Sequence, residues 1–168
     1  MGVAGAASAV ALGGVTYLSI TPADKSLLSI DAVLVAIDSI NSKAIALTGA
    51  WTAAQVFNHM AQSVEYSMLG YPEHKSEFFK STIGPLAFAA FSSKGKMRHN
   101  LSEAIPGAPA LVADDNVSQT IARFRLSLIN FDQYAGELKP HFAYGQLSKD
   151  QYALAHVMHF YDHMSELA

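Results

Sequence analysis

Asn116-Val-Ser-Gln119-Thr-Ile121-Ala-Arg-Phe124-Arg-Leu-Ser-Leu128-Ile-Asn-Phe131-Asp-Gln-Tyr-Ala135-Gly-Glu-Leu138 decides the fold class. Its apolar residues Val117, Ile121, Phe124, Leu128, Phe131, Ala135 and Leu138 recur in alternating steps of four and three, which lays one stripe along a helix. Asn116 with Gln119 has the spacing of a capping box, in which side chains satisfy the first free backbone groups of a helix. Pro140 and Gly145 end the stretch.

The same grammar repeats on either side. Downstream, Ser148 with Gln151 opens a last helix, flanked by Leu147 and Tyr152 at staple positions. Upstream, Thr52 with Gln55 opens a helix that runs to about Leu69, where Gly70 and Pro72 stop it. Before that, Ser29 caps a face of Ile30, Val33, Leu34, Ile37 and Ile40 that Gly49 ends. Between the second and third helices lies a long connection, Gly70 to Asp115, with a helical stretch from Glu77 to Phe91 interrupted by Pro85 and a loop at Pro106-Gly-Ala-Pro109. Short joins at the two ends and one long crossover predict an all-α, antiparallel four-helix bundle, and no strand pattern competes with it.

The 168 residues are one domain's worth, expected over residues 26–168, behind an apolar leader over residues 1–25. Met1 to Ala23 carry no charge, and Gly2 to Ile20 is an apolar run of about membrane-spanning length. It reads as an export signal or an anchor, without the basic residues that usually precede one, or as a small-residue helix packed on the bundle. Expected localisation is exported or periplasmic, with the cytoplasm as the alternative, and membrane contact only through an uncleaved leader. A net charge of −3 and scattered Lys and Arg give no stripe to neutralise phosphates, which excludes nucleic acid as the expected partner. Zero cysteines exclude disulfides and thiolate ligands. The apolar leader and long crossover leave surface for a homodimer.

Three of seven histidines, His156, His159 and His163, fall on one stripe of the last helix beside the apolar Val157, Phe160, Met164 and Leu167. Imidazoles there border the core, where lone polar groups are costly. A shared metal ion relieves that cost, and the i, i+4 pair His159 and His163 suits one ion. A third donor should face them, and His59 lies near the inward face of the second helix, one residue before Met60. Three neutral nitrogens suit zinc, nickel, iron or copper and leave room for water or a small-molecule substrate. His156 is either a replacement ligand or a hydrogen-bond partner of the site. Asp162 is either an acceptor for an imidazole N–H or a solvated acid. His74, His99 and His141 fall in predicted loops and read as surface residues, with Lys96 and Arg98 beside His99 as a possible anion contact. Phe160 stands where zinc proteases carry a catalytic Glu, which argues against protease chemistry.

The strings Trp51-Thr-Ala-Ala-Gln-Val-Phe-Asn-His59-Met-Ala and His159-Phe-Tyr-Asp-His163 resemble the DinB-like superfamily of four-helix bundles. Ser67-Met-Leu-Gly-Tyr-Pro72 and Pro140-His-Phe-Ala-Tyr-Gly-Gln-Leu-Ser-Lys149 are closer to an uncharacterised branch of it. The resemblance implies a divalent metal on His59, His159 and His163. It also implies thiol-dependent transferase or isomerase chemistry, with a non-catalytic metal or small-ligand protein as the alternative, and twin-arginine export. Met164-Ser-Glu166 departs from the run that follows the pair in many relatives.

Overall fold

Five of the six α-helices among the described residues open on a side chain that accepts a backbone N–H three residues on: Ser29, Thr52, Ser76, Asn116 and Ser148. The computed structural model describes residues 25–168 and the backbone of 9–12 and 15–18. From a 3₁₀ turn at Lys25–Leu27 onward the described chain is all-α: α1 (Ile30–Asp38), α2 (Ala53–Leu69), α3 (Glu77–Ser81), α4 (Ile83–Lys94), α5 (Val117–Gln133) and α6 (Lys149–Met164). At α2 and α6 both halves of the capping box are made, whereas Asn116 makes only the first half at α5. Thr52→Ala should therefore lower stability by about 1 kcal/mol, measured by urea denaturation, while replacing exposed Ser93 should leave it unchanged.

One core joins α1, α2, α5 and α6. Val33 and Ile37 of α1, Val56, Phe57, Met60 and Val64 of α2, Phe124, Leu128 and Phe131 of α5, and Val157, Met158 and Phe160 of α6 are all buried together. The helix faces meet because the stripe of each repeats at helical spacing. Polar ties register them: Arg123 of α5 donates to Glu65 of α2 from Nε and Nη2, and from Nη1 to Asn58 Oδ1 at 2.9 Å. Arg125 of α5 does the same for Asp38 of α1.

Three expected boundaries move. α1 stops at Asp38 rather than running on to Gly49, because the Ser39 hydroxyl caps Ala36 and the later backbone finds other partners. Thr48 N–H donates to Glu166 O at 2.8 Å, Ala168 N–H donates to Ala46 O at 3.1 Å, and Leu47 bridges Leu167. α5 stops at Gln133, short of Ala135 and Leu138, where Tyr134 turns extended and the Lys149 ammonium donates to the carbonyls of Asp132 and Tyr134. Pro85 interrupts nothing. It is the third residue of α4, in the first turn, where a missing N–H leaves no bond unmade, and the break falls earlier at Thr82.

The leader expected over residues 1–25 lies largely outside the described residues. Within it the backbone of Ala9–Leu12 (β1) pairs antiparallel with Val15–Leu18 (β2), Ala9 opposite Leu18 and Leu12 opposite Val15. This strand pair departs from the expectation that no strand competes. Val10, Val15, Thr16 and Tyr17 favour strand, and the glycines among them disfavour helix. No helix among the described residues is long and apolar enough to cross a membrane.

Candidate metal centre

His59 enters the core on the second turn of α2, between Asn58, which Asp115 and Arg123 hold, and Met60 in the core. His159 and His163 project from α6 on adjacent turns. The Nε2 atoms converge: His159 Nε2 lies 3.1 Å from His59 Nε2 and 3.1 Å from His163 Nε2. Trp51 covers the group from outside, its ring centroid 5.0 Å from His59 and 6.4 Å from His163, nearly parallel to the latter.

A fourth imidazole joins them. His99, read from sequence as a surface residue, offers a ring nitrogen that, with one from each of the other three, falls in a group whose atoms all lie within 4.8 Å of one another. Its loop is pinned by buried Met97 and Ile105 and by Asp162. The Asp162 carboxylate is buried, and Oδ2 accepts from His99 Nδ1 at 2.7 Å and from the His99 backbone N–H at 3.1 Å. That bond puts the His99 proton on Nδ1 and leaves Nε2 with its lone pair, buried and without a protein partner. Asp162 is thus a carboxylate orienting an imidazole, though for His99 and not for a residue of its own helix, and the solvated-acid alternative is excluded by its burial.

The donor set fits a cation. A neutral imidazole nitrogen carries one lone pair or one hydrogen, and His159 Nε2 has two nitrogen neighbours to satisfy. Two nitrogens about 2.05 Å from one zinc-sized ion stand roughly 2.9 to 3.4 Å apart for angles from square to tetrahedral. The two 3.1 Å contacts fall in that window. Burial and, secondarily, the charge of neighbouring histidines, for His59 that of His99, hold His59 down to about 3 and His163 to about 2, and push His159 well below the usual imidazole range. All three are neutral and able to coordinate at neutral pH.

The remaining histidines separate. His74 is exposed, as expected. His156 makes no hydrogen bond to the cluster, so it serves as neither of the roles anticipated for it, and His141 is buried against Tyr144 rather than at the surface. Lys96 and Arg98 are exposed. Burial holds His141 and His156 at about 3. Unfolded, each takes a proton near pH 6.5; folded, only near 3. Between those values the unfolded chain binds more protons, so stability is complete above about 6.5 and falls on acidification, by up to about 1.4 kcal/mol per pH unit for each independent site. Melting of metal-free protein should drop steadily from pH 7 to 5, and less steeply in His156→Phe; a flat profile contradicts the buried neutral state.

What sequence reasoning missed was His99. The available signal was the apolar pair Met97 and Ile105 bracketing it, which marks a loop returning to the core, together with an acid on the histidine-bearing helix.

Fold and site define a domain, all-α over residues 25–168, with a largely buried four-histidine cluster that could hold a metal ion. The chain belongs to the DUF1569 family, described as a protein of unknown function, whose model matches residues 21–168. No curated protein and no solved structure matches it.

Proposed function

We propose that the protein binds one divalent metal ion through His59, His159 and His163, joined by His99, and that α1, α2, α5 and α6 form an antiparallel four-helix bundle of the DinB-like kind. The observation that carries this is the convergence of four imidazole nitrogens from three separate segments, with no other partner for the lone pair on His99. A divalent ion so held lowers the pKa of a thiol or similar small nucleophile that reaches it. The chain's own residues supply the rest. Asp162 orients His99, Trp51 excludes water from one side, and a cavity opens on His59, His99 and His159 from the other. This supports a metal-dependent transferase.

The fourth imidazole favours a second reading, a closed site that only stores metal, since catalytic zinc sites keep a position open. His99 sits on a loop and is the more exposed partner of its pair with Asp162, which allows it to give way to a substrate. Cobalt(II)-loaded protein separates the two. A ligand-field spectrum that changes on adding a small thiol supports the open site, and one that stays fixed supports storage. Less than roughly a tenth of an equivalent of zinc, nickel or iron retained after dialysis overturns both.

A further inference from the structure

Behind the histidine cluster lies a cavity of about 290 Å³ whose lining is mostly apolar, including Phe79, Phe91, Met97, Ile105 and Phe142. Its volume is near the lower end for small-molecule pockets. Two further histidines, outside the metal group, line it: His141 and His156.

Each is built in a way that the core alone does not require. His141 Nδ1 accepts from the backbone N–H groups of Ala143 and Tyr144, both at 3.1 Å, so its single proton is on Nε2. The ring lies parallel to that of Tyr144, with centroids 4.3 Å apart, which fixes its plane. His156 is 3% exposed, sandwiched between the Tyr152 ring and the edge of Phe131, and its Nε2 is buried with no hydrogen-bond partner. An orphaned buried nitrogen of this sort is costly unless something meets it. Leucine or phenylalanine would fill the same space without that cost.

We propose that this cavity binds a small uncharged molecule with an apolar, ring-sized body and one hydroxyl or carbonyl group that hydrogen-bonds His156. The apolar walls take the body. Both imidazoles are held neutral by burial and give no fixed charge to offset an ion. Lys75 and Glu103 are exposed and of opposite sign, so the rim selects for neither charge. The site rests on the cavity and His156, and it stands whether or not the histidine cluster holds an ion.

The test is equilibrium binding of 2-naphthol, naphthalene and 2-naphthoate to the full chain, with and without zinc. We expect 2-naphthol to bind metal-free protein roughly tenfold more tightly than naphthalene does, the advantage of one satisfied hydrogen bond, and 2-naphthoate to bind more weakly than 2-naphthol. In His156→Phe the preference for the hydroxyl should vanish while naphthalene still binds, which shows that the pocket remains folded. His156→Gln should restore part of it. No binding by any probe, equal binding of naphthol and naphthalene, or a preference that survives His156→Phe overturns the proposal. A preference that appears only with zinc also overturns it, because the hydroxyl then sits at the metal cluster. Zinc content, measured separately, reports on the metal reading alone.

Discussion

His163→Ala and His159→Ala protein, dialysed against zinc and then against buffer, should retain less than roughly a tenth of an equivalent where the parent keeps about one. The free energy of a structural zinc site is about 10 to 16 kcal/mol, so each of four ligands carries about 3 kcal/mol, or roughly a hundredfold in affinity. The effect at His159 should be the largest, since its Nε2 is the nitrogen in contact with both neighbours. His59→Ala should behave likewise. Asp162→Asn leaves all four imidazoles in place but replaces the carboxylate that fixes the His99 tautomer, and should cost roughly 10 to 100-fold. The zinc-dependent rise in melting temperature should shrink in the same order, because a ligand stabilises only in proportion to its affinity for the folded state. Exposed His74 is the control, and its Ala variant should keep the metal. A His59→Ala or His159→Ala protein that binds zinc as well as the parent sinks the site.

Gly84→Ala should be the most damaging change outside the histidines. A Cβ built at Gly84 would collide with the carbonyl oxygen of Ala143 and lie 3.0 Å from its carbonyl carbon. Both are backbone atoms of the turn that carries His141, so neither can swing aside. Either α4 or that turn must move, and both wall the cavity. The expected loss is about 3 kcal/mol or more, the upper range for overpacking, read as a fall in the urea midpoint without change in slope. Pro85→Ala one residue on is the comparison. It restores an N–H in the first helical turn, where none is needed, and should alter stability by less than about 0.5 kcal/mol. Gly84→Ala protein as stable as the parent would falsify the close approach of α4 to residues 141–145.

The sequence made both ends of α2 and the start of α6 legible to within a residue because each helix begins on a complete capping box, whose side chains act locally and leave a signature three residues long. α1 and α5 began where expected and ended early, because their last turns are decided by partners distant in the chain. For α1 these are Glu166 and Ala168, which take up the backbone after it, and for α5 the Lys149 ammonium. The convergence of His59, His159 and His163 could be anticipated from helix periodicity. His99 could not, since no period governs a loop, and what draws it in is a buried carboxylate 63 residues away. Burial of His141 was hidden for the same reason: its two hydrogen bonds run to its own turn, whose packing under α4 the local sequence does not state.

The union of His99 and Asp162 also sets an order of events during synthesis. His59 and His159 are 100 residues apart, and His99 and Asp162 are 63 apart, so no two segments of the cluster are neighbours in the chain. Contacts that close loops this long come late, after local helices have formed and lost little entropy in doing so. While the last helix is still inside the ribosome, α2 and α5 can pair through Arg123 and Glu65, but the four imidazoles cannot meet. Any metal uptake by all four imidazoles then waits until the last helix has emerged. Without an ion the fold rests on its hydrocarbon core, and a chain whose last helix has not yet emerged presents no complete four-histidine site at which an ion could be trapped.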